Sequence, residues 1–155
     1  MTKEDKAKAK FDEIVSNAKG PWKDILLDLH ELLSREVPGL VEPDAEGVAV
    51  GFKVTPPFWG KSIRLLDLRS GGVQPSPTYL RDLADTLADQ PVRSAAVRAV
   101  HGQYVRRLNR MFDQRYYYDT SNSWVDAPSP LNSTARRRAL VDAILEAARA
   151  LIEIP

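Results

Sequence analysis

The chain has 155 residues, 43% of them hydrophobic and 28% charged, which fits one globular domain with a single core and lies far from the composition of disorder. It has no cysteine, which excludes disulfide scaffolds, thiol nucleophiles and cysteine-based zinc or iron–sulfur sites, and is the usage expected in a reducing compartment such as the cytoplasm. A formal net charge of +1 selects no class of partner.

Residues 1–10 carry Lys, Glu and Asp where an export signal would be apolar. No run approaches the ~18 apolar residues of a spanning helix, so no membrane association is expected. Thr2 can cap a first helix, in which Ala7, Phe11, Ile14, Val15 and Ala18 form one apolar stripe until Gly20-Pro21 stops it. Pro21 suits the first turn of a second helix with Trp22, Ile25, Leu26, Leu29, Leu32 and Leu33 on one face, ended by Val37-Pro38-Gly39. These two helices are expected to form a helical hairpin. Segment 40–47, with Glu42, Pro43, Asp44 and Glu46, reads as an acidic loop.

From Gly47 the period changes from about 3.6 to 2, with Val48, Val50, Phe52 and Val54 alternating with smaller or polar residues. Pro56-Pro57-Phe58-Trp59-Gly60 turns the chain, and 61–69 is a second strand. Its parity switches between Leu65 and Leu66, which a bulge near Leu65 or burial on both faces would explain. Ser70-Gly71-Gly72 ends the hairpin. Ser76-Pro77 reads as the cap and first turn of a helix carrying Tyr79, Leu80, Leu83 and Leu87. A longer helix is expected over 91–115. The segment 116–125, rich in aromatic residues, is the internal candidate for a third strand. Asn132 or Ser133 caps a last helix with Leu140, Val141, Ile144, Leu145, Ala148, Leu151 and Ile152 on one side. The expected fold is therefore a single α+β domain over 1–155, mainly helical with about five helices. It carries a small antiparallel β-hairpin that must pack on helices, gain a third strand or pair with another chain.

Charge is unevenly distributed. Residues 1–50 hold seven Lys/Arg against eleven Asp/Glu, whereas 93–138 holds nine Arg against three Asp. On the long helix, Gln103, Arg106, Arg107, Arg110 and Gln114 gather on a face separate from that of Val97, Val100, Tyr104, Leu108 and Met111. Guanidinium forks match phosphate and carboxylate, so this face is a candidate polyanion contact; its plain alternative is a solvated face paired with the acidic first half. Arg136, Arg137 and Arg138 fall in the opening turns of the last helix, where cations oppose the macrodipole and require an anion nearby. That anion is either an internal carboxylate or a bound phosphate held with free backbone N–H groups. Phe58 and Trp59 at the hairpin tip, with Tyr117 among three consecutive tyrosines, are candidates for aromatic recognition, unless they fold back to cap the core.

Catalytic signals are sparse. His30 and His101 both read as packed, hydrogen-bonded histidines, and two histidines without cysteine make no zinc site. No nucleophile elbow, phosphate-cradling glycine loop or H-E-x-x-H motif is present. Asp44 or Glu46 with Asp67 and Arg69 loosely resembles the strand-borne acidic pair plus basic residue of metal-dependent nucleases, which hold a divalent cation through carboxylate oxygens. That family carries lysine where Arg69 stands. The function expected from the sequence is a non-enzymatic binding module without a cofactor. Its partner would be nucleic acid or another polyanion, or alternatively a protein met by strand addition or homodimerisation; the nuclease is the remaining alternative.

Overall fold

The structure, a computed structural model, describes residues 2–37, 42–112 and 122–155, with 42–46 described by backbone alone. Helix α1 (Lys3–Asn17) starts where the sequence places it: Thr2 Oγ1 accepts from the Asp5 backbone N–H at 3.0 Å while the Asp5 carboxylate accepts from Thr2 N–H at 3.1 Å. This reciprocal cap satisfies two backbone donors and holds the Asp5 carboxyl below its ordinary range. Ala7, Phe11 and Ile14 are its buried stripe. Gly20, at φ 58°, then turns the chain into α2 (Trp22–Glu36), which buries all six of its predicted apolar positions. The two helices are not chiefly each other's partners, as a helical hairpin would require. α1 lies mainly along the sheet, and α2 packs on the last helix.

The sheet is larger than the expected hairpin. Four antiparallel strands, β1 (Glu42–Glu46), β2 (Ala49–Val54), β3 (Ile63–Arg69) and β4 (Gly72–Pro75), lie in the order β1-β2-β3-β4. Segment 42–46, expected to be a loop, pairs with β2 through a tight turn that Gly47 opens at φ 57°. Its glutamates, aspartate and proline conceal the strand in the sequence because they are the residues of an edge, where one row of backbone groups faces no neighbour. The third and fourth strands are thus β1 and β4. Of segment 116–125, residues 116–121 lie outside the described residues, and Val125 reaches the sheet through a single bridge. It exchanges backbone hydrogen bonds of 3.2 and 2.7 Å with Val73. Gly72 permits this approach, since a Cβ there would sit 2.9 Å from the Val125 carbonyl.

Between β2 and β3 the register steps at Phe52/Lys53, leaving Leu65 as an extra residue. The expected bulge is there, and it reconciles the parity switch: Val50, Phe52 and Val54 face Leu68, Leu66 and Ile63, all buried. The Leu65 carbonyl accepts from Tyr104 Oη at 2.7 Å and from Ser76 N–H at 2.9 Å, which ties the bulge to the long helix.

Helix α3 (Thr78–Thr86) is capped differently from the expectation. The buried Ser76 hydroxyl donates to the Gln74 carbonyl at 3.2 Å, and the Thr78 N–H is met by Asn122 Oδ1 at 3.1 Å from a distant segment. α4 (Pro91–Phe112) is held to α3 by the buried Ser94 hydroxyl, which donates to the Ala84 carbonyl at 2.8 Å. Residues 113–115, and Gln114 with them, lie outside the described residues. A short 3₁₀ turn (Ser129–Leu131) precedes α5 (Thr134–Ile152), capped by Ser133 Oγ accepting from the Arg136 N–H at 3.2 Å. Buried residues of the helices and of β2, β3 and β4 form one hydrophobic core, and the fold is α+β and mainly helical, as expected. Among the described residues no helix is long and apolar enough to cross a membrane.

Candidate functional site

Helices α4 and α5 pack side by side and run in opposite directions. Arg93 Nε donates to the carbonyl of Pro155 at one end, Gln103 and Arg107 meet Glu146 midway, and Arg110 faces Arg136 across a groove at the other end. Helical periodicity divides α4 as its sequence implies: Val97, Val100, Tyr104 and Leu108 are buried, Met111 is half-buried, and Gln103, Arg106 and Arg110 are exposed. Glu146 accepts from both Gln103 Nε2 and Arg107 Nη1, so a carboxylate from α5 holds the middle of the cationic face.

Arg107 and Arg110 line a shallow groove of ≈ 440 Å³ with Ala135, Arg136 and Ala139, and an adjoining one with Gln103 and Arg106. Among the described residues, no hydrogen bond or ion pair engages the side chains of Arg106, Arg110 or Arg136. Three guanidinium groups from two helices therefore border one surface around a fourth that is already oriented.

The triplet at the start of α5 divides because consecutive helical residues are 100° apart. Arg136 turns toward α4. Arg137, largely buried, donates to the Leu131 carbonyl at 2.9 Å and reaches Asp28 of α2 at 3.3 Å. Arg138 bonds Glu36 of α2 at 2.8 Å and Asp142 at 2.9 Å. Its hydrogen bond holds the Glu36 carboxyl below the usual carboxylate range, and the two carboxylates push the Arg138 guanidinium up. Arg137 and Arg138 are thus paired internally with the acidic first half, which supplies anions near a helix start that lacks acidic residues of its own.

Phe58 and Trp59 fold back and pack half-buried against the core, Phe58 under the Arg93 guanidinium at 5.3 Å and Trp59 near the Lys61 ammonium at 5.2 Å. Tyr117 lies outside the described residues. Of the acidic set, Asp44 stands in register opposite Gly51, and Gly51 opposite Asp67. Asp67 is buried and pairs with Arg64 at 3.5 Å, while Arg69 bonds Asp126 at 2.6 Å over the ring of Trp124. Among the described residues no three His, Asp or Glu converge to hold a metal ion.

The histidines stand on different helices. His30 is stacked on Phe11 at 3.9 Å and meets the edge of Phe52 at 5.7 Å, joining α1, α2 and β2 by ring contacts. Burial pushes it below the ordinary value of 6.5, with Asp12 opposing weakly. The unfolded chain therefore takes up this proton first, so stability falls as pH drops below about 6.5, by up to ~1.4 kcal/mol per unit until the folded-state value is reached. Denaturant melts at pH 7.5 and 5.5 should show that loss, and His30→Phe, which keeps the stack without the titration, should lessen it.

Sequence reasoning missed Glu146 and Asn122, whose roles depend on partners about forty residues away along the chain. No known protein family, characterised protein or solved structure matches this chain.

Proposed function

We propose that the protein is a binding module that contacts a polyanion, nucleic acid or another phosphate-rich chain, through Arg106, Arg107, Arg110 and Arg136. The observation that carries this reading is the bordering of one α4–α5 surface by three exposed guanidinium groups without partners among the described residues. Arginines needed only for folding are expected to resemble Arg137 and Arg138, which have carboxylates within reach. Arg136 lies in the first turn of α5, where exposed backbone adds positive potential for an incoming phosphate.

Counterion release sets the magnitude. Three phosphate contacts give log affinity against log salt a slope of about −2 for single strands and about −2.7 for duplex, a loss of roughly 20- to 40-fold between 50 and 200 mM salt. Anisotropy titrations of labelled oligonucleotides across that range test this. The variant Arg106→Ala/Arg110→Ala/Arg136→Ala should fold normally and lose both affinity and slope. Absence of binding at 50 mM salt, or an unchanged slope in the variant, rejects the reading.

The alternative of strand addition has less support. One sheet edge meets Val125, and the other carries Glu42, Pro43, Asp44 and Glu46, a composition that discourages pairing with a further strand.

A further inference from the structure

Among the described residues, Glu146 is the one carboxylate that engages the cationic face of α4, its two oxygens accepting separately from Gln103 Nε2 and Arg107 Nη1. Around it, α5 lines the α4–α5 surface with small side chains and one further cation: Ala135, Arg136 and Ala139 along one groove, Ala143 and Ala147 along the next. Arg107 is the most central of the four arginines. It lines the groove shared with Arg110 and Arg136 and also the one shared with Arg106 and Arg110. The cation best placed to meet an incoming anion is therefore the one already matched by a carboxylate.

This pair differs from that of Arg137, which is 15% exposed and ties α5 to Asp28 of α2. Arg107 and Glu146 are 34% and 37% exposed, on two helices that Val100, Tyr104, Ala143 and Ala147 already hold in the core. An ion pair in that position adds little to folding, and a competing anion can open it. We infer that Glu146 competes with the bound polyanion for Arg107, withholding one cation in four and keeping the affinity of the α4–α5 surface below what its arginines could supply. The inference rests on the polyanion reading of that surface. Its sign is opposite to that of an orienting role, since removing a carboxylate that merely aimed Arg107 at its ligand would weaken binding.

The test is Glu146→Gln, which removes the charge and keeps an acceptor for Gln103, titrated against labelled single-stranded and duplex oligonucleotides between 50 and 200 mM salt. Release of Arg107 adds one phosphate contact, so the slope of log affinity against log salt should steepen by about 0.7 for single strands and about 0.9 for duplex. Referred to 1 M salt, this is about tenfold tighter binding at 50 mM and about three- to fourfold at 200 mM. Glu146→Ala, the second variant, should act in the same direction. With Arg107→Ala already present, Glu146→Gln should not steepen the slope. Weaker binding or an unchanged slope in both Glu146 variants, or the same steepening without Arg107, overturns the inference and leaves the polyanion reading standing. Failure of that reading shows differently, as no binding by the native protein or either variant at 50 mM salt, and overturns both.

Discussion

Phe52→Ala is expected to lower the free energy of unfolding by about 3–5 kcal/mol, the range for deleting a fully buried aromatic side chain. Phe52 is 1% exposed, faces Leu66 beside the Leu65 bulge, and receives on its edge the imidazole of His30, which in turn stacks on Phe11. Truncating it leaves a cavity at the point where α1, α2 and β2 meet, so the effect should extend to α1. Urea melts should show a lower midpoint at unchanged slope, and amide exchange in α1 should accelerate. Leu27→Ala, on the exposed face of α2, is the control and should stay within about 0.5 kcal/mol.

Gly51→Val is expected to destabilise by about 1–3 kcal/mol, although strand propensity taken alone predicts a gain. A Cβ at Gly51 would lie 2.8 Å from Asp67 Oδ1 and 3.3 Å from Arg64 Nε, so the glycine makes room for a buried ion pair lying over the next strand. Displacing Asp67 would leave charges imperfectly paired in a site with little access to water. A double-mutant cycle isolates the cause: with Asp67→Ala already present, Gly51→Val should cost little or stabilise. Equal cost in both backgrounds would show that the carboxylate is not what the glycine accommodates.

The elements carrying a strong periodic signal were legible in the sequence. The stripe from Trp22 to Leu33, the alternation from Val50 to Val54, the parity switch at Leu65 and the two faces of α4 all follow from residue type at fixed angular spacing, a local property. Strand β1 was not legible, because its acidic and proline residues suit an edge and give no apolar alternation. Nor was the cap of α3: Ser76 has the right identity and position, but its hydroxyl is buried against Gln74, and Asn122 takes the Thr78 N–H instead.

The sequence by itself determined that the chain makes a mainly helical α+β domain without thiol chemistry, and that its cations concentrate on α4 and the start of α5. Only the tertiary structure decided which arginines are engaged. Arg137 and Arg138 are held by Asp28 and Glu36 because α2 packs on α5, and Arg107 is held by Glu146 because α5 packs on α4. Arg106, Arg110 and Arg136 look identical to these in the sequence. They differ in which neighbour the packing brings within reach, since an ion pair depends on a separation of a few ångströms that no spacing along the chain encodes.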